Sequence, residues 1–274
     1  MHLDLEQRHL AEARQVYAGN ASVLVPEVFP FSTPRLTAME RIDGGKITGV
    51  QGLEEAERRR LAAGIVGALI AGPIWADEQP SLFHADPHAG NLMLTPDGRI
   101  GLLDWSLVGR LGKRERVCMT QILIGALTID AERIVGAMIE LGEGEGDVEA
   151  LRSIVDEALV PIRAGALPGL DWLTALMDAT AMSGARYGAD LIVFRKVLQT
   201  LQGVIADVCD RAGVDAALAV AFLGRLVAEW PARLMTPPFS RALATHMSHA
   251  ELAHLFASSP LIASRALAGL GSRS

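Results

Sequence analysis

The reading turns on Phe83-His84-Ala85-Asp86-Pro87-His88-Ala89-Gly90-Asn91. It is followed by Leu92-Met93-Leu94-Thr95, then Pro96-Asp97-Gly98, then Arg99-Ile100-Gly101-Leu102-Leu103-Asp104. Two short apolar runs around a Pro-Asp-Gly turn predict a β-hairpin, with glycine supplying the positive φ. A hairpin brings its two ends together, so Asn91 and Asp104 are expected side by side. Asp86 lies five residues before Asn91 and is expected at the same mouth. Two carboxylates and a carboxamide are hard oxygen donors. They suit Mg²⁺, which takes a few protein ligands together with phosphate oxygens. A phosphoryl-transfer site uses such a set: one Asp orients or deprotonates the nucleophile, and the Asn and the second Asp hold metal on the nucleotide phosphates.

His84, Asp86 and Asn91 reproduce the His-x-Asp-x4-Asn spacing of the general protein-kinase catalytic loop, and Asp104-Trp105-Ser106 stands where Asp-Phe-Gly follows it. Phe83 to Asn91, with Leu102-Leu103-Asp104, resembles the UbiB/AarF (ADCK-type) family of atypical kinases, whose loop typically reads F-H-A-D-P-H-P-G-N. An upstream segment is similar to that family as well: Val25-Pro26-Glu27-Val28, then Ser32-Thr33-Pro34-Arg35 through Met39-Glu40-Arg41-Ile42-Asp43-Gly44. The resemblance covers residues 22–110. It implies a protein-kinase-like fold and Mg²⁺-dependent ATP binding. It also implies ATPase or small-molecule/lipid kinase activity in support of ubiquinone synthesis. Carried over by position, it makes Asp86 the catalytic-loop aspartate and Asn91 and Asp104 the Mg²⁺ ligands. Met39, Glu40 and Ile42 become adenine-binding hinge residues, with the Glu40 carbonyl and the Ile42 N–H facing the base.

The sequence departs from that pattern in four places. The chain has three lysines, Lys46, Lys113 and Lys196, all after the hinge segment, so none matches the family's nucleotide-pairing lysine. Gly19 is the sole glycine among the first 40 residues, so no glycine-rich phosphate loop precedes the hinge. His2-Leu3-Asp4 puts histidine where the family's helix has glutamate. Trp105 and Ser106 replace Phe and Gly, and serine makes a positive φ costly there. The expectation is a chain that starts inside the kinase fold, with residues 1–45 a remnant of the small lobe and hinge and residues 46–274 a helical large lobe. A degenerate relative, half of a split kinase and a gene fragment all fit this expectation. Two other functions stay open: a pseudokinase-like interaction module, and a small-molecule kinase like the aminoglycoside phosphotransferases.

Composition narrows the rest. Of the 274 residues, 50% are hydrophobic and 21% charged, which excludes wholesale disorder. The net charge is −7 and the longest basic run is Arg58-Arg59-Arg60, which excludes a nucleic-acid binder. Cys118 and Cys209 are too few for a disulfide framework and read as reduced thiols in a cytoplasmic protein. No stretch reads as a targeting signal or a membrane span, although apolar helices are able to lie against an inner-membrane surface. The expected partners are a nucleotide, a lipid or membrane surface, and a separate small-lobe chain or other protein. The fold class is mainly α (α+β). Helices are expected over 3–19 and 53–70, and beyond 110 over 112–128, 130–142, 147–163, 170–183, 189–211, 214–230 and 248–268. Arg35 to Ile42 reads as a strand. Three plainer readings stand beside these. His84-x-Asp86-x-His88 resembles half of a zinc site without further ligands. Asp86, Asn91 and Asp104 also suit turns and caps. Glu143, Glu145 and Asp147 read as a solvated loop.

Overall fold

The computed structural model describes residues 3–50, 52–143, 147–210 and 213–271; His2 and Glu145 lie outside the described residues. The chain is mainly helical with two small sheets. It forms two compact units, each discontinuous in sequence. The first comprises Met1–Pro73, Leu82–Arg110 and Val193–Leu218, the second Ile74–Ser81, Leu111–Ile192 and Ala219–Ser274.

The first unit opens with α1 (Asp4–Val16), whose first turn carries Asp4 and Glu6, acids that favour a helix N-terminus. Strands β1 (Val23–Leu24) and β2 (Gly45–Lys46) follow, then α2 (Glu55–Val66). A reciprocal capping box starts α2: the Glu54 and Glu57 side chains each accept the other's backbone N–H. The helix widens into a π-helical turn, Gly67–Ala71, and ends in the short α3 (Gly72–Ile74). Strand β3 (Ser81–His84) pairs with β6 (Val108–Leu111). Between them, β4 (Leu92–Leu94) and β5 (Ile100–Leu102) form the expected hairpin, with Leu92 opposite Leu102 and Leu94 opposite Ile100. Gly98 takes φ +84° at its turn. This hairpin is the centre of a sheet ordered β1-β5-β4-β2, with β1 parallel to β5. The fully buried Phe83 ring meets Phe194 edge-on at 5.0 Å.

The expected strand over 35–42 does not form. That segment makes only isolated bridges, Val28 to Met39 and Thr33 to Leu36. Polar side chains hold it instead: the Gln7 amide of α1 donates to the Thr33 carbonyl at 2.9 Å and the Thr37 hydroxyl at 3.0 Å, and the Ser32 hydroxyl bonds both the N–H and the carbonyl of Ala38. Side-chain bonds of this kind offer the backbone an alternative to a sheet ladder.

The second unit is helical. Helices α4 (Lys113–Thr128) and α5 (Ala131–Leu141) pack together, with Asp130 capping α5 by accepting the Arg133 N–H. Then come α6 (Val148–Ala158) and α7 (Val160–Arg163), divided near Pro161, and α8 (Leu170–Met182). The long α9 (Ala189–Val208) runs into the first unit, and α10 (Val214–Ala228), α11 (Trp230–Arg233) and α12 (His249–Gly271) complete the chain. Buried polar groups cross-link this unit. Arg116 donates to the Ala76 and Glu78 carbonyls at 2.7 and 2.9 Å, and Arg233 donates to Glu229, Thr245 and the Met247 carbonyl. Both cysteines are free and buried, and burial pushes the Cys118 thiol up to about 12. Among the described residues no helix is long and apolar enough to cross a membrane.

Candidate functional site

The loop after β3 is built around two histidines. The His84 Nε2 lies 2.9 Å from the Leu103 carbonyl, which can only accept, so Nε2 carries the proton. Nδ1 is then free to accept the Asp86 N–H, 3.2 Å away. His84 is therefore a neutral brace between the loop and the far end of the hairpin. Burial lowers its pKa, outweighing the Leu103 hydrogen bond and the charges of Asp104 and Asp86, which act the other way. His88 is held differently. Its Nδ1 accepts the Gly90 N–H at 3.0 Å, and its Nε2 lies 3.7 Å from Asp86 Oδ2. A Cβ at position 90 would come within 2.8 Å of the His88 ring, so a larger residue there would displace the ring that accepts the Gly90 N–H.

Asn91 closes the loop. Its side-chain Nδ2 donates to the Asp86 carbonyl at 3.1 Å, and its own carbonyl accepts the Leu103 N–H at 2.9 Å. The first bond ties Asn91 to the Asp86 residue; the second, continuing the β4–β5 ladder, sets it opposite the residue preceding Asp104. Chain reversal thus gathers the expected trio at one end of the hairpin. The three differ in exposure: Asn91 is buried, Asp86 half-buried and Asp104 exposed.

The positive φ of this segment falls at Asp104 (+56°), not at Ser106. The expected cost at Ser106 therefore does not arise, because the left-handed turn is placed on aspartate, which tolerates it better than most residues. Ser106 caps that turn. Its N–H and hydroxyl donate to Asp104 Oδ1 at 3.2 and 2.5 Å, leaving Oδ2. The fully buried Trp105 anchors the segment, with its ring 4.7 Å from His84 and 6.1 Å from Tyr17 and its Nε1 donating to the Leu102 carbonyl.

The donor set fits a hard divalent cation. With Nδ2 committed, Asn91 retains its Oδ1, and Asp104 retains Oδ2, so both present oxygen. Among the described residues no three His, Cys, Asp or Glu side chains converge as a metal site. The His84-x-Asp86-x-His88 run thus finds no zinc-type partners, whereas an ion sharing its shell with phosphate oxygens needs only a few protein ligands.

Of the residues expected as a hinge, Ile42 lies against the same hairpin. The Ile42 side chain lies over Gly101 of β5, 3.2 Å from where a Cβ would stand, beside Met93 of β4. The Glu40 N–H donates to the Glu27 carbonyl, and its carboxylate accepts from Arg14 and from the Glu27 N–H. Among the described residues, the Glu40 carbonyl and the Ile42 N–H have no intramolecular hydrogen bond. Two clefts of about 330 and 320 Å³ border the turn end of the hairpin, one lined by Arg14, Tyr17 and Arg99 and the other by Leu61, Leu94 and Ile100. Neither touches Asp86, Asn91 or Asp104.

The helix expected over 3–19 forms as α1, but sequence reasoning missed its place beside the site. One face of this helix lies along the Asp104–Trp105 segment. The His9 Nδ1 donates to the Trp105 carbonyl at 3.0 Å, and Glu6, one turn earlier, feels the Asp104 charge. Burial, then that charge, raises the Glu6 carboxyl above its ordinary value. The i, i+3 spacing of Glu6 and His9 marks one face of the helix, but nothing local says what the face meets.

A family model for the ABC1 atypical kinase-like domain matches residues 1–138. An aarF domain-containing protein kinase of Arabidopsis thaliana, a chloroplastic protein, is 34% identical over 131 residues, which is 45% of this chain and 23% of that protein. A probable protein kinase UbiB of Aliivibrio salmonicida is 26% identical over 216 residues, 74% of this chain and 39% of that protein. The chain thus spans well under half the length of these relatives. The solved structure of Rv3197 from Mycobacterium tuberculosis in complex with erythromycin superposes with a TM-score of 0.53 at 19% identity, covering 76% of this chain and 54% of that one. That likeness supports a kinase-like fold. The family match spans half of the chain and includes the hinge segment, the His84–Asn91 loop and Asp104, and with it the chain belongs to the ABC1 (UbiB/AarF) family of atypical kinase-like proteins.

Proposed function

We propose that the chain binds Mg·ATP at the open end of the β4–β5 hairpin and supports phosphoryl transfer or ATP hydrolysis. The observation that carries this reading is the pair of bonds made by Asn91, one to the Asp86 carbonyl and one from the Leu103 N–H, which draw the three oxygen-bearing residues to one mouth. In this reading Asn91 Oδ1 and Asp104 Oδ2 hold the cation, and bound Mg²⁺ neutralises charge on the phosphates. Asp86 orients the acceptor hydroxyl or a water and takes its proton on the carboxylate. His84 fixes the loop backbone from below, and the Asp104 turn is held by Ser106. Met39, Glu40 and Ile42 border the adenine, with the Glu40 carbonyl and Ile42 N–H as its hydrogen-bonding edge.

None of Lys46, Lys113 and Lys196 precedes the hinge, so no lysine of the chain takes the nucleotide-pairing position. A missing fixed donor costs on the order of 10²–10³ in rate. Turnover by the chain alone is therefore expected to be slow, and a pseudokinase that binds nucleotide without turnover is the second reading. In this reading a lipid-quinone precursor, which the family resemblance implies, is among the acceptor classes to test. Isothermal titration with Mg·ATP tests the binding step, and a phosphate-release assay on the same sample separates the two readings.

A further inference from the structure

In the second unit, the stretch from Ala219 to Ser240 places its charges and its apolar side chains the opposite way round from a soluble surface helix. Its three charged residues are Arg225, Glu229 and Arg233. All are turned inward: Arg225 is half-buried and paired with Asp77, while Glu229 and Arg233 are buried against each other. The outward side carries Val220, Leu223 and Val227 of α10, then Trp230, Leu234 and Met235. These six range from 53% exposed at Leu223 to 88% at Met235. A solvated helix shows its polar face to water, and an apolar patch this continuous marks an interaction surface.

Charge and area identify the occupant. A helix that lies on a membrane surface is rich in Lys and Arg beside its apolar face. Here no exposed cation lies between Ala219 and Ser240, and the chain's net charge is −7. A surface without charge meets no repulsion from an identical surface, which is the condition an isologous two-fold contact imposes. Ala219, Gly224 and Ala228 are exposed among the larger side chains and let a second helix backbone approach closely. Full side-chain areas are roughly 150–250 Å² for Trp and somewhat less for the aliphatic chains; at their observed exposure the six side chains present about 600 Å², most of the ~800 Å² each partner contributes to a standard interface. We propose that this face of α10 and α11 is a homodimer interface, covered by the same face of a second copy of the chain.

Sedimentation equilibrium of the whole chain over a dilution series tests it. The expected result is twice the chain mass at the concentrated end, falling two-fold in the Leu223→Glu/Val227→Glu variant with far-UV circular dichroism unchanged. Met235→Glu, at the most exposed position, provides an independent variant should the first misfold, and it is expected to weaken the dimer in the same sense. A wild-type chain that sediments as a monomer throughout, or variants that dimerise as well as wild type, overturns the proposal. A monomer that floats with phosphatidylcholine vesicles, and loses that ability in the same variants, overturns it in favour of lipid.

Discussion

At the residue scale, His84 is the group whose chemical state is most tightly determined. One ring nitrogen faces a carbonyl and the other an amide N–H, so only the neutral Nε2–H form satisfies both. Replacing it with Phe leaves the Leu103 carbonyl and the Asp86 N–H unpaired in a buried setting. Unmade buried hydrogen bonds of this kind cost about 3 kcal/mol for the pair. Urea unfolding of His84→Phe is expected to show that loss; a midpoint equal to wild type would contradict the brace. The His-x-Asp-x4-Asn spacing made Asp86 and Asn91 legible in the sequence, and the bracing role of His84 follows from the same loop. The left-handed turn was misplaced, because an Asp-x-Ser triplet says too little about which residue reverses the chain.

At the scale of elements, the β4–β5 hairpin and the helices beyond residue 110 were read with boundaries close to those observed. Their signals are local: apolar runs, a Pro-Asp-Gly turn, and Gly or Pro at helix ends. Elements defined by distant partners were not. β2 consists of Gly45 and Lys46, which carry no strand preference, and exists because it pairs with β4. Residues 35–42 read as a strand, yet α1 and Ser32 hold them by side-chain bonds. The turn yields a prediction at this scale. Gly98 sits at φ +84° with open space around its Cα, so Gly98→Ala is expected to destabilise the hairpin by about 1 kcal/mol through backbone strain alone. Gly98→Asn should lose less, since Asn tolerates this region. Thermal melts of the two variants check the order; equal losses would point to a packing effect instead.

At the scale of the whole molecule, the first unit is assembled from three separated stretches of chain, so α1, the hairpin and α9 from Val193 onward share one body. That is why the docking of Glu6 and His9 beside Asp104–Trp105 lay beyond sequence patterns. The second unit carries an acid-sensitive group. His246 is buried, donates to the Ile74 carbonyl, and has no partner for Nδ1. Burial, with Arg116 nearby, lowers its pKa from 6.5 to about 4. The unfolded chain therefore takes up a proton near pH 6.5 that the folded chain refuses until about pH 4. Stability is fully present above pH 6.5 and declines as pH falls between those values, by about 3 kcal/mol in all. His246→Asn keeps a side chain suited to its positive φ and is expected to flatten this decline. Melting temperatures of both proteins measured across pH 7 to about 4 check it; parallel curves would assign the acid sensitivity elsewhere.

The central claim is that Asp86, Asn91 and Asp104 form one cation-dependent nucleotide site. Titration calorimetry with ATP tests it most directly, with and without Mg²⁺, on the wild-type chain and on Asp104→Ala. The account predicts saturable binding that requires Mg²⁺ and disappears in the variant, with circular dichroism unchanged because Asp104 is exposed. Binding that survives both the loss of Mg²⁺ and the loss of Asp104, or no binding to the folded wild type at millimolar ATP, would contradict it.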